Sequence, residues 1–207
     1  MAEAKGDHMK SEVYWDMLVY KEWTLYLAAT EHGLSCITLP NESFETLANW
    51  VDRSIPSVIL IHDPVKLAFY IEQLTEYFEG NRTEFTFFLD LHGTFFQKSM
   101  WMELAHVPYG VTVSYADLAD KIGNPKAVRA VGAANGANPL PFVLPCHRVI
   151  GKNGKLTGYR GGLAMKRQLL EMEEVANPLI SIAVHAKKDD TTAATLPYDQ
   201  TNAQIAS

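Results

Sequence analysis

Ser114-Tyr115-Ala116-Asp117-Leu118-Ala119-Asp120-Lys121-Ile122-Gly123-Asn124-Pro125-Lys126-Ala127-Val128-Arg129-Ala130-Val131-Gly132 carries the signals of two short helices separated by a tight turn. Ser114 and Asp117 stand at capping-box spacing, so the hydroxyl can take an orphan N–H of the first turn while the carboxylate reaches back to the cap. Tyr115, Leu118, Ala119 and Ile122 share one face of the helix that follows, and Gly123 supplies the left-handed residue that ends it. Asn124-Pro125 then reads as the cap and first position of the next helix. Two helices joined in this way make a helix-turn-helix, a motif moderately specific for DNA. At about 100° per residue the second helix turns Val128, Val131 and Gly132 one way, which predicts its buried face. Lys126, Ala130, Ala133 and Ala137 lie opposite, with Arg129 at the border. Solvated helix faces ordinarily carry Glu and Lys. A face of alanines makes a thin helix that can enter a narrow groove, where one long arginine at its edge can wedge into a base stack. The alternative is an alanine face covered by another helix.

Downstream, Leu144-Pro145-Cys146-His147-Arg148-Val149 brings a soft nucleophile, a titratable base and a fixed cation into three consecutive positions. A free thiol has a pKa near ~8.5, so little thiolate exists at neutral pH unless a base or a positive neighbour intervenes, and an adjacent imidazole is the usual remedy. Pro139, Pro141 and Pro145 predict an extended, stiff segment ending at Cys146. A structural cysteine beside a hydrogen-bonded histidine is the alternative. Gly151-Lys152-Asn153-Gly154-Lys155 follows as a basic turn. Thr157-Gly158-Tyr159-Arg160-Gly161-Gly162 is then a loop whose backbone can approach a flat ligand closely. The last helix, Leu163 to Glu173, places Lys166, Leu169, Leu170 and Glu173 on one side. A carboxylate on an apolar face needs a partner. His147 is the obvious one and would complete a Cys-His-Glu relay, unless Glu173 escapes to solvent at a frayed helix end. Upstream, Thr94 and Gln97 form another capping box before Met100, Trp101 and Leu104, and that helix stops at Pro108-Tyr109-Gly110.

The first half of the chain is patterned differently. Thr24–Thr30, Glu31-His32-Gly33 and Leu34–Leu39 read as a β-hairpin with Cys36 packed inside a strand. Phe44, Leu47, Ala48 and Val51 suggest a short helix, Val58 to Ile61 a strand, Leu67, Ile71, Leu74 and Phe78 a longer helix, and Phe85 to Leu91 a last strand. His32, His62 and His92 have no metal-ligand spacing with one another or with Cys36, so no metal is expected. The boundaries that follow are a polar N-terminus at 1–10, a supporting α/β domain at 11–91, a second domain at 92–176, and a polar, aperiodic tail at 177–207 expected to be disordered.

With 207 residues, 47% of them hydrophobic, a packed core is affordable. No apolar run could span a membrane and the first residues lack the apolar centre of a signal peptide, so a cytoplasmic protein is expected. Two distant cysteines make no disulfide framework. The net charge is −6, but its distribution is uneven. Thr94 to Glu173 carries ten Lys/Arg against five acids, whereas the remainder carries eight against nineteen. A basic half on an acidic half points to a polyanionic partner for the former, a solvated charged surface being the alternative.

From Gly93 to Glu173 the chain resembles the O6-alkylguanine-DNA alkyltransferases, through Gly-Thr-Phe-Phe-Gln, Pro-Tyr-Gly, Gly-Asn-Pro-Lys-Ala-Val-Arg-Ala-Val-Gly, Asn138-Pro139, Pro-Cys-His-Arg-Val-Ile-Gly and Gly-Tyr-Arg-Gly-Gly. The resemblance implies a ribonuclease-H-like α/β domain followed by a mostly helical, winged-helix-like domain. It implies that Cys146 accepts the alkyl group, that His147 acts through a water as its base, and that Glu173 orients the histidine. Asn138 would brace the active-site turn. Tyr115 would help rotate the target nucleotide and donate to the departing base, and Arg129 would replace the flipped guanine. Ser114, Lys126, Ala130 and Ala133 would lie on the DNA, with Val149, Tyr159 and Arg160 around the base. The implied substrates are O6-methylguanine and O4-methylthymine in double-stranded DNA, met from the minor groove by a monomer without a cofactor. Some members of this group bind zinc through N-terminal Cys and His that this chain does not reproduce. Position 160 holds an arginine where some relatives have a small residue, which would narrow the pocket. The rival is a non-repairing module that only recognises alkylated guanine, but such relatives lack the acceptor cysteine.

Overall fold

The computed structural model describes residues 11–40 and 42–176, so the expectations for the two chain ends fall outside it. Its first half is a four-stranded sheet in the order β3-β2-β1-β4. Strand β1 (Ser11–Tyr20) pairs antiparallel with β2 (Trp23–Thr30) and parallel with β4 (Val58–His62), while β3 (Gly33–Ile37) pairs antiparallel with β2. The expected hairpin is β2–β3. Strand β1, the longest of the sheet, has no counterpart among the expected elements. Helices cover the sheet on both sides, so the adjacent residues Val13 and Tyr14 are both buried, one on each face, and apolar/polar alternation is lost.

Helix α1 (Phe44–Ser54) lays Leu47 and Val51 on the face that holds Val13, Ala28 and Cys36. On the other face, α2 (Pro64–Phe78) buries Leu67, Leu74, Tyr77 and Phe78. Asp63 starts α2, accepting from Val65 N and Lys66 N at 3.1 and 3.0 Å just ahead of Pro64. The strand expected at Phe85 to Leu91 is not formed, and this stretch makes one isolated bridge, Leu34 to Leu89. Its aromatic residues pack on α2 instead, with Phe87 5.0 Å from Tyr70 and Phe85 5.5 Å from Tyr77 between ring centroids.

The second half is helical: α3 (Phe95–Ala105), α4 (Tyr115–Lys121), α5 (Val128–Gly136) and α6 (Gly162–Ala176), with β5 (Val113–Ser114) and β6 (Val149–Ile150) forming a two-residue parallel pair. Both capping boxes form, at Thr94/Gln97 and Ser114/Asp117. Gly123 ends α4 at φ +71°, where a side chain would be strained. Two details of the turn differ from expectation. Asn124 gives no side-chain cap. Its carbonyl instead accepts from Ala127 N at 2.9 Å, and Pro125–Ala127 is a 3-10 turn ahead of α5. The buried face of α5 is Val131, Ala134 and Asn135, while Val128, its first residue, is exposed and Gly132 half-buried. Lys126, Arg129, Ala130, Ala133 and Ala137 are exposed as expected.

One core cluster runs through both halves, from Leu25 and Tyr77 to Trp101, Phe142 and Leu169. Trp101 donates its indole N–H to Ala134 O at 2.9 Å, locking α3 to α5. Across the junction, Ile37 N donates to Pro139 O at 2.8 Å and Phe78 meets Phe142 edge-on at 5.0 Å. Among the described residues no helix is long and apolar enough to cross a membrane, and no group of His, Cys, Asp and Glu could hold a metal ion.

Candidate active site

The segment before Cys146 is rigid but coiled, not extended. Leu144 N donates to Leu140 O at 2.8 Å and Cys146 N to Leu144 O at 2.7 Å. Proline fixes φ near a value that suits turns as well as strands, so three prolines did not decide between them. Asn138 braces these turns from inside, giving Nδ2 to Leu144 O at 2.7 Å and accepting from Leu140 N at 2.9 Å. Phe142 is held at φ +73°, a conformation that costs a bulky residue of order 1–3 kcal/mol and is kept here by complete burial of its ring. Cys146 then opens a 3-10 turn, Cys146–Arg148, anchored by β6.

Behind the thiol lies a buried charged group. His147 and Glu173 are both fully buried, with Nε2 and Oε1 2.8 Å apart. Glu173 also accepts from Tyr77 OH at 2.7 Å, from Gly110 N at 3.1 Å, and from Arg148 Nε and Nη2 at 3.0 and 2.9 Å. Glu173 is therefore no frayed end. Desolvation would raise the Glu173 carboxyl, but the hydrogen bonds from His147 and Arg148 and the charge of Arg148 outweigh it and hold the carboxyl down to about 2. Burial pushes the His147 pKa below its usual value, against the pull of Glu173, so the ring is neutral. A neutral imidazole facing a carboxylate through Nε2 places its proton there, which leaves the Nδ1 lone pair as the base. Nδ1 is buried with no protein partner among the described residues. Desolvation raises the Cys146 thiol above its usual value, with Asn138, Arg160 and Lys166 pulling the other way. The lowered thiol pKa that an adjacent imidazole suggested is thus not what the fold provides. It provides a neutral thiol beside a neutral base.

Cys146 opens onto a cavity of about 290 Å³ whose wall includes Tyr115, Gly132, Asn138, Tyr159 and Arg160. Tyr115 OH lies 3.4 Å from both Thr157 O and Gly158 O. The Tyr159 hydroxyl is buried with no hydrogen-bond partner among the described residues. Val149, expected at the pocket, lies beneath it, and its carbonyl accepts from Lys166 Nζ at 2.6 Å. The same ammonium reaches Thr157 O at 2.7 Å, tying β6 to the 157–158 loop from a fully buried position where desolvation brings it to about 8. Gly132 and Gly136 of α5 line the cavity, and at about 100° per residue Arg129 and Ala133 form the next stripe outward. The exposed alanine face therefore adjoins the cavity mouth. Ser114, expected on DNA, is nearly buried and accepts from Asp117 N at 3.1 Å, so its hydroxyl is engaged in the helix cap.

Comparison with known proteins matches residues 95–175 to the 6-O-methylguanine DNA methyltransferase DNA binding domain and residues 13–91 to the ribonuclease-like domain of the same group. The inducible methylated-DNA–protein-cysteine methyltransferase of Bacillus subtilis is 47% identical over 168 residues, covering 81% of this chain and 94% of that protein. The chain belongs to the methylated-DNA–protein-cysteine methyltransferase family. A relative from Mycobacterium bovis with the same name is 53% identical over 116 residues, 56% of this chain and 70% of its own length. The crystal structure of Mycobacterium tuberculosis OGT in complex with DNA superposes with a TM-score of 0.69 at 40% identity, covering 81% of this chain and 97% of that one. The fold is accordingly a ribonuclease-like N-terminal domain followed by a helical DNA-binding domain.

Against that family frame, the structure brings Cys146, His147, Glu173, Asn138, Tyr115, Tyr159 and Arg160 together and adds two residues the sequence reading did not single out. Tyr77 enters from the N-terminal domain to touch Glu173. Nothing local marks it among the apolar residues of α2. Lys166 did leave a signal, because a lysine in register with Leu169 and Glu173 on an apolar helix side needs acceptors as surely as the glutamate does.

Proposed function

We propose that this protein repairs O6-alkylated guanine in double-stranded DNA by moving the alkyl group, once per chain, to Sγ of Cys146. O4-methylthymine is the second substrate. The observation that carries the proposal is the buried Cys146-His147-Glu173 array opening onto a cavity beside the exposed face of α5. Residues 11–91 act as the supporting domain and 92–176 as the DNA-binding and acceptor domain, and the protein works as a cytoplasmic monomer.

An alkyl group on O6 cannot be reached in line while the base is stacked, so the nucleotide rotates out of the duplex into the cavity. The thin face of Lys126, Ala130 and Ala133 lies in the minor groove, Arg129 fills the gap, and Tyr115 guides the rotation. The thiol proton passes through a water to Nδ1 of His147 as Sγ attacks the alkyl carbon. Glu173 holds the ring and stabilises the imidazolium that forms. The S–C bond forms, the O6–C bond breaks, and guanine leaves with the electron pair. The Tyr115 hydroxyl supplies a proton to the departing base, since donors aimed at developing charge lower the barrier most. A thioether is a poor electrophile and Lys166 is already engaged with the carbonyls of Val149 and Thr157, so the reaction stops after one turnover.

Mass spectrometry after exposure to excess duplex containing O6-methylguanine tests this. One methylene unit should appear per chain, on the peptide holding Cys146, with guanine restored in the DNA. Continued turnover with a free Cys146 thiol, or alkylation of Cys36 instead, would overturn it.

A further inference from the structure

The cavity wall facing the N-terminal domain is built from Leu39 and Arg160, and Arg160 is tied at both ends. Its Nη1 donates to Asn138 O at 3.3 Å, and its Nε meets Glu42 Oε1 at 3.0 Å. Side-chain exposure is 35% for the arginine and 15% for the glutamate. The arginine thus bridges the 158–162 loop and the 138–141 loop, with its far end held by the other domain. Glu42 is itself fixed. Its Oε2 accepts from Leu39 N at 2.8 Å while its own N–H donates to Leu39 O at 2.9 Å, so the carboxylate closes the turn it sits on. Leu39 packs so close to the loop that a Cβ on Gly161 would lie 3.3 Å from its Cδ1. Leu39, Glu42 and Arg160 therefore form one strut between the domains along one side of the cavity.

We infer that Glu42, on the β3–α1 loop, is a specificity-determining residue for the size of the alkyl group, acting by holding Arg160 in the cavity wall. The inference rests on the proposed alkyl transfer to Cys146. An arginine with several free torsions would otherwise swing towards solvent and leave space beside Tyr159 for a bulky substituent. Glu42 touches neither Cys146 nor the relay, and a partly exposed ion pair adds little to fold stability. Its loss should change selectivity while leaving the chemistry and the fold in place.

The test compares single-turnover rates on duplexes carrying O6-methylguanine or O6-benzylguanine. Glu42→Gln keeps the shape of the turn while removing the charge that holds the guanidinium. It should raise the benzyl-to-methyl rate ratio by about 2- to 5-fold, the size expected when a partly exposed ion pair is released. Arg160→Ser should raise the ratio at least as much, and Glu42→Gln added to Arg160→Ser should give no further gain. A ratio unchanged by Glu42→Gln overturns the inference, as does a parallel fall in both rates, which would make Glu42 a support of the fold alone. A gain from Glu42→Gln that persists in the Arg160→Ser background would also overturn it, because the effect would not run through the arginine. Wild-type protein inert towards both duplexes would sink the proposed function and this inference together, whereas an active wild type with an unmoved ratio removes only the latter.

Discussion

Cys36 and Cys146 are nearly equally buried, at 4% and 6% exposure, and burial raises both thiols above their usual pKa. One packs in β3 against Ala28, Leu47 and Val51, with an apolar helix over it. The other has a cavity in front and a neutral imidazole tied to a carboxylate behind. The difference teaches that thiol acidity is not what separates a reactive cysteine from an inert one here. Access and a placed base are. On the proposed mechanism, Cys146 rests as a thiol and becomes a nucleophile only when a substrate carbon and the His147 lone pair are both in reach.

The sharpest way to break this comparison is to exchange the two side chains' chemistry. Cys146→Ser should abolish alkyl transfer completely while still binding duplex DNA, and Cys36→Ser should transfer at the wild-type rate. Activity surviving in the first or lost in the second would erase the distinction.

Glu173→Gln comes next. It leaves Arg148 buried without its anion, which costs about 3–5 kcal/mol of stability, and lets His147 lose its tautomer, which should slow transfer by about 10²–10⁴-fold. Thermal melting and single-turnover rates separate the two effects. Acid reports on the same carboxylate. Its folded pKa of about 2 lies below the ordinary 4.5, so the stability it contributes is full above about pH 4.5 and is lost as pH falls towards 2. By this linkage the loss is about 3 kcal/mol, and it should be missing from the pH dependence of Glu173→Gln.

Arg129→Ala should slow transfer from duplex DNA by about one to two orders of magnitude, because unstacking a base costs a few kcal/mol and the arginine offsets part of it. Free O6-methylguanine base needs no rotation, so its rate and the melting temperature should stay near wild type. Equal losses on base and duplex would make Arg129 a packing residue. Tyr77→Phe is the smallest change. Removing one of several donors to Glu173 should lower the rate about ten-fold on base and duplex alike, the cost of a lost hydrogen bond to a buried charge. No effect would show that His147 and Arg148 orient the carboxylate unaided.

What was legible in the sequence were the features set by neighbours along the chain. The capping boxes at Thr94 and Ser114, the Gly123 helix stop, the alanine face of α5 and the apolar setting of Glu173 all follow from spacings of three or four residues. The misreadings came where distant packing decides. Strand β1 lost its alternation because both of its faces are covered, and Phe85 to Leu91 packs its rings on α2 with a single isolated bridge in place of a ladder. Val128 begins α5 directly after the 3-10 turn at Pro125–Ala127 and is exposed, so helical spacing alone misplaced it. Tyr77 and Glu42 belong to contacts between elements far apart in sequence, which no local pattern announces.

The hydrogen bond from Tyr77 to Glu173 joins positions 96 residues apart. Contacts of such separation are slow to form, because loop closure must be met before they contribute. The helix that carries Glu173 is also the last of the described elements in chain order, so the carboxylate can meet His147 and Tyr77 only once that part of the chain has been made. A nascent or truncated chain therefore holds the sulfur without a braced base. On the proposed mechanism, docking of α6 completes the relay behind Cys146, so the reactive array forms only when both halves of the chain have folded together.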